Sequence, residues 1–150
     1  MIEKVLHINQ VMVSEGPTEF VCFGLGSCIG LFVIDRLKGF SAGAHIPMPV
    51  GTQGDFHGAN EMIECLLQKL QQMGSSLVGL SAKLAGGAQV YESTLNMGIK
   101  NTEAVLLHLS KHNIYISGSD VGGKISRTAR FNSVTGDLKI STSEKKEYII

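Results

Sequence analysis

Cysteine is scarce in this 150-residue sequence. There are three, Cys22, Cys28 and Cys65, an odd number with no CxxC pair. Neither a disulfide framework nor a structural zinc site is therefore expected, and a reducing cytoplasm suits the chain best. Charge of one sign is lacking too. Lys plus Arg and Asp plus Glu both number 13, so the formal net charge is zero, and no basic excess points to nucleic acid or an anionic membrane. No apolar run reaches the roughly 18 residues of a helical span, so no membrane insertion is expected. The opening MIEKVLHINQ carries Glu3 early and lacks an apolar h-region, so no signal peptide is expected either. Internal repeats and low-complexity tracts are absent.

Phosphate-binding signatures are also missing. No Gly-Lys-Ser or Gly-Lys-Thr closes a Walker loop. Gly24 and Gly26 begin a G-x-G-x-x-G pattern, but Ile29 holds its third glycine position and Gly30 comes one residue late. The residues after this stretch read as strand, not helix. His108 and His112 stand four apart on an expected helix, without the further ligands a metal site needs. No metal and no organic cofactor are expected.

What is present is a core-forming chain, 43% apolar and 17% charged, read as one domain over 1–150. Strand-like runs open it: VLHINQVMVS, EFVCFGLGS, CIGLFVIDR and GFSAGAHIPM, punctuated by Gly16-Pro17 and Lys38-Gly39 turns. The prolines and glycines of PMPVGTQGDFHGA predict a long exposed loop, expected to border a site that includes His45. Met62, Ile63, Leu66, Leu67, Leu70 and Met73 then recur at helical spacing, with Asn60 as the expected N-cap and Gly74 as the C-terminal stop. LVGLSAKLAGG returns to strand. NTEAVLLHLSKH predicts a second helix capped by Asn101 or Thr102, burying either Ala104, Leu107 and His108 or Val105 and Leu109. NIYISGSDVGG and a hairpin turning at Thr135-Gly136-Asp137 complete the chain. Two helices among seven or eight strands predict an α+β fold, a layered sandwich of mixed β-sheets with both helices on one face.

One stretch joins the glycines to a cysteine: Gly24-Leu25-Gly26-Ser27-Cys28. His45 follows Cys28 by 17 residues, on what reads as a neighbouring strand. A nucleophilic thiol needs a base beside it and free backbone N–H groups for an oxyanion, and a glycine-rich turn exposes such groups. Spacing alone favours the plainer reading of Cys28 as a small core residue and His45 as a satisfied strand histidine.

The order of motifs shifts that balance. LGSC, then AHIPMP, AKLAGGA, NTEAV, and DVGG with a following arginine and FNSVTGDL, resembles the CheD family of chemoreceptor glutamine deamidases from about Val11 to Leu138. The resemblance implies a cysteine-hydrolase fold similar to the catalytic domain of cytotoxic necrotizing factor toxins. It also implies a cytoplasmic protein acting on glutamine side chains of methyl-accepting chemotaxis receptors, with methyl-ester hydrolysis in some members and a CheC-type phosphatase as partner. On this pattern Cys28 is the nucleophile and His45 the acid–base. Gly26 and Ser27, with Gly86 and Gly87, form the oxyanion and substrate loops. The family often carries a threonine six residues before the nucleophile to orient the histidine, where this chain has Cys22, a weaker acceptor. It often carries Tyr-x-Asp before the first helix, where this chain has Gly58-Ala59-Asn60. The alternative implied by the Cys22 departure is a binding module of the same fold that regulates a CheC-type phosphatase with little catalysis. A cysteine protease fits less well, because the resemblance specifies a side-chain amide.

Overall fold

Alternation along two strands decides how the layers stack. In the computed structural model, which describes residues 1–52 and 54–150, β4 (Ile29–Asp35) and β5 (Phe40–Ile46) pair antiparallel. Ile29, Leu31, Val33, Ala42, Ala44 and Ile46 point to one face, and Gly30, Phe32, Gly43 and His45 to the other. Both faces are buried, which is why β4 reads as a continuous apolar run.

These strands sit in a five-stranded sheet of order β2-β5-β4-β6-β7, with β2 at Val11–Glu15, β6 at Leu80–Gly86 and β7 at Tyr115–Val121. Its outer face carries both helices, α1 (Ala59–Met73) and α2 (Met97–Lys111). Its inner face packs on a second five-stranded sheet of order β1-β3-β8-β9-β10. That sheet comprises β1 (Ile2–Val5), β3 (Thr18–Leu25), β8 (Arg127–Asn132), β9 (Leu138–Thr142) and β10 (Glu147–Ile149). Phe32 and Phe131 stack across the gap with ring centroids 5.3 Å apart. The layers are thus helices, sheet, sheet: an α+β sandwich with the helices on one face.

The structure moves several expected boundaries. Among the described residues there are ten strands, because VLHINQVMVS divides into β1 and β2 and the short β10 closes the second sheet. The break falls at residues 6–10, where the chain crosses between sheets with Asn9 in the left-handed region at φ 78°. Helix α1 starts from Gly58, not Asn60, since the chain folds back there to bridge Met48 and a side chain on Gly58 would strike the Val50–Gly51 backbone. Gly74 does stop α1, at φ 114°. Helix α2 starts a turn earlier than expected, from Asn96, because Gly98 nestles on the carbonyls of Gly87 and Ala88. Asn101 is therefore inside the helix, and the second of the two candidate faces, Val105 and Leu109, is the buried one. Gln53, in the loop expected over 47–59, lies outside the described residues.

Candidate active site

The Gly24–Cys28 turn links β3 of one sheet to β4 of the other, so Cys28 stands at an end of the sandwich. The thiol is half-buried against the inter-sheet core and also lines a cleft of about 510 Å³. The turn is gripped from behind. Gly87 N–H donates to the Cys28 carbonyl at 2.9 Å, and Ala88 N–H to the Gly26 carbonyl at 2.8 Å. Gly86 lies at φ 115°, so close to the Cys28 carbonyl that a Cβ would collide with it; only glycine permits this approach. Gly86 and Gly87 thus press on the turn from the end of β6. No other described residue accepts a hydrogen bond from the N–H of Gly26, Ser27 or Cys28. Such a set of N–H groups beside a thiol could hold a developing oxyanion.

His45 lies on β5 opposite Gly30, on the inter-sheet face, and is only 4% exposed. Cys28 lies just before β4, two residues from Gly30, and packs against the inter-sheet core on the same side of the sheet as His45. Gly30 keeps this corner open. A Cβ there would come within 3.2 Å of both the Cys22 sulfur and Leu25 Cδ1. His45 Nδ1 lies 2.9 Å from the Leu6 carbonyl oxygen. A carbonyl only accepts, so the neutral ring carries its proton on Nδ1 and leaves Nε2 as an acceptor. Burial lowers the His45 pKa, partly opposed by the Leu6 bond, and the nearby His7 lowers it further. Burial raises the Cys28 thiol above its ordinary value, opposed by the backbone N–H. The resting pair is therefore neutral thiol and neutral imidazole.

The Leu6 carbonyl arrives by a specific route. Leu6 N–H continues the β1–β3 pairing by donating to Val21 O at 2.8 Å, and the chain then crosses to the other sheet. There His45 N–H donates to Gln10 O at 3.1 Å and Asn9 N–H to His45 O at 2.9 Å. The Leu6 side chain lies over Gly43, where a Cβ would come within 2.6 Å of Leu6 Cδ1. The position expected to hold the histidine, Cys22, is wholly buried in the inter-sheet core near both Cys28 and Gly30. Burial, with Cys28 beside it, pushes its thiol far above the ordinary range.

Two features of this site were not legible in advance. The orienting acceptor is a main-chain carbonyl, which has no residue signature. The cleft wall is the segment 88–98, with Val90, Tyr91, Leu95 and Met97, and not the expected loop over 47–59; among the described residues the lining comes from 24–28, 88–98 and Ser126.

The family model for CheD chemotactic sensory transduction matches residues 50–142, a segment downstream of Cys28 and His45. The chemoreceptor glutamine deamidase CheD of Thermotoga maritima is 35% identical over 143 residues, covering 93% of this chain and 91% of that protein. The chain belongs to the CheD family. The CheD of Halalkalibacterium halodurans, also called a chemoreceptor glutamine deamidase, is 37% identical over 135 residues, covering 83% of each chain. A probable CheD of Desulfitobacterium hafniense is 35% identical over 148 residues, covering 91% of each. A solved Neisseria meningitidis protein is 14% identical with a TM-score of 0.44, covering 76% of this chain and 52% of that one, too loose a likeness to argue from. Among the described residues of this CheD-family chain, no helix is long and apolar enough to cross a membrane.

Proposed function

We propose that this protein hydrolyses glutamine side chains of methyl-accepting chemotaxis receptors to glutamate, with Cys28 as nucleophile and His45 as acid–base. The observation that carries the reading is Cys28 lining a cleft two residues before Gly30, the β4 partner of a buried His45 whose Nδ1 is fixed on Leu6. His45 Nε2 takes the thiol proton as Cys28 sulfur attacks the carboxamide carbon. The oxyanion is held by N–H groups of the Gly26–Cys28 turn. The imidazolium returns the proton to nitrogen, ammonia leaves, and a thioester remains. His45 then deprotonates water, which attacks the thioester; glutamate leaves and the thiolate is reprotonated. The same sequence hydrolyses a receptor methyl ester with methanol as the leaving group. The reaction needs no metal or cofactor, and takes place in the cytoplasm where receptor tails lie. A CheC-type phosphatase is the proposed regulatory partner.

The test incubates the protein with receptor cytoplasmic fragments and follows glutamines by mass spectrometry. Hydrolysis replaces an amide nitrogen by oxygen and adds about one dalton, and Cys28→Ala is expected to abolish it while leaving the fold intact. An alanine variant with wild-type turnover would falsify the assignment.

One feature favours a second reading, a weakly active module that binds a CheC-type phosphatase: the family's usual threonine is replaced by Cys22, wholly buried and a weaker acceptor. Iodoacetamide at neutral pH separates the two. Ready alkylation of Cys28 supports the hydrolase, and an inert thiol the binding module.

A further inference from the structure

Asn101 stands inside α2, wholly buried, at a position where asparagine is a poor helix former. Its amide nitrogen donates to two carbonyls, Ser27 O at 2.8 Å and Pro47 O at 3.0 Å. Its Oδ1 has no partner among the described residues. The helix requires none of this. An apolar residue there would join the buried face of Val105 and Leu109 and remove the orphan oxygen, at the cost of leaving two main-chain carbonyls without a donor.

The two carbonyls have particular neighbours. Ser27 C=O shares a peptide plane with Cys28 N–H, so gripping the oxygen fixes the direction of that N–H. Pro47 ends the strand that carries His45. The β4–β5 ladder closes at the pair Ile29–Ile46, and the next residue along β5, Pro47, has no N–H to extend it. Asn101 supplies two donors where the ladder cannot continue.

We infer that Asn101 is a positioning residue for the Cys28–His45 pair: one planar carboxamide ties the nucleophile's turn to the end of the base's strand. The inference rests on the proposed Cys28–His45 chemistry and adds to it a residue that acts through the main chain on either side.

The test compares Asn101→Leu and Asn101→Asp with wild type. It reads receptor-fragment deamidation, melting temperature, and the pH profile of Cys28 alkylation followed by peptide mass spectrometry. Leucine keeps about the same size and removes both donors and the orphan oxygen. Aspartate keeps the shape and sets carboxylate oxygens against two carbonyls. The leucine variant is expected to fold but melt below the wild-type temperature, since two carbonyls lose their donor, and to lose roughly 10²-fold in kcat with little change in KM, the scale of a small misplacement of reacting groups. Its alkylation midpoint moves to higher pH, because the Cys28 N–H no longer steadies the thiolate. The aspartate variant loses kcat to a similar extent. A folded leucine variant with wild-type kcat and alkylation profile overturns the inference. Unfolding of both variants also overturns it, by making Asn101 a purely structural residue. If instead Cys28→Ala turns over substrate at the wild-type rate, the proposed nucleophile fails, and the alkylation profile still decides whether Asn101 sets the surroundings of Cys28.

Discussion

The Leu6 carbonyl and the His45 imidazole meet where the chain crosses between sheets, with 2.9 Å between the oxygen and Nδ1. This contact holds the proton of the neutral ring on Nδ1. At mildly alkaline pH, ¹⁵N NMR of the histidines should therefore show the His45 proton on Nδ1 and a bare Nε2. A ring protonated on Nε2 would leave Cys28 without a base and defeat the proposed proton transfer.

Burial lowers the pKa of His45 and raises that of Cys28. On the proposed mechanism the competent form is the neutral pair: protonating His45 removes the base, and ionising Cys28 removes the proton that departing ammonia needs. The plot of kcat/KM against pH should rise through an inflection below the ordinary histidine value of about 6.5, hold a plateau, and fall only above the ordinary thiol range. A rising limb at or above the ordinary histidine value would contradict the assigned base. His45→Ala should cost about 10²–10⁴-fold in rate at the plateau.

The same depressed pKa makes His45 a source of acid lability. Above the unfolded value of about 6.5 the ring is neutral in both states and contributes nothing to the pH dependence. As pH falls from there toward the lower folded value, the unfolded chain takes up a proton that the folded chain refuses, and stability declines. Below the folded value the decline stops. Melting temperature measured against pH should be flatter across that window in His45→Gln; an identical slope would show that the ring is not the source.

Gly43→Ala tests the route by which the Leu6 carbonyl arrives. The added methyl group enters the space of Leu6 Cδ1 and presses on Phe20, 3.2 Å from the Cβ position. Overpacking of this kind costs about 1–3 kcal/mol. If Leu6 yields, its carbonyl leaves Nδ1, and kcat should drop by roughly 10- to 100-fold. A variant that is destabilised to this degree yet fully active would separate the Leu6 contact from catalysis.

Cys22→Thr places the family's usual residue in this chain. With Nδ1 already on Leu6, the hydroxyl has no claim on the imidazole, and kcat is expected to change less than about twofold, within the small effect of a lost neutral contact. The wholly buried site instead makes the hydroxyl a burden of about 1–3 kcal/mol. Paired melting curves and turnover rates check both halves; a clear kinetic gain would return the orienting role to this position.

The layers were legible because periodicity reports burial directly. Met62, Ile63, Leu66, Leu67 and Leu70 are the buried face of α1 as their spacing requires. Strand β4, buried on both faces, has no alternation, and the face it shares with His45 emerges only from pairing with β5. Asn60 and Asn101 misled as caps for one reason. Asparagine at a helix start is a statistical preference, and here tertiary contacts won: the bridge from Met48 moved one start to Gly58, and two distant carbonyls claimed Asn101. Cys28 and His45 are singled out only by the resemblance, since a 17-residue spacing does not distinguish a reactive pair from two core residues. The Leu6 acceptor was invisible because every residue carries a carbonyl.

The pairing of β3 with β8 sets a timetable for synthesis. The Gly24–Cys28 turn emerges early from a ribosome, but the strand leading into it waits for Arg127–Asn132, and Thr18 N–H waits for Ser133 Oγ, 115 positions later. Contacts so distant in sequence form slowly and late. A nascent chain ending before β8 thus carries the thiol without the strand that frames it from the second sheet.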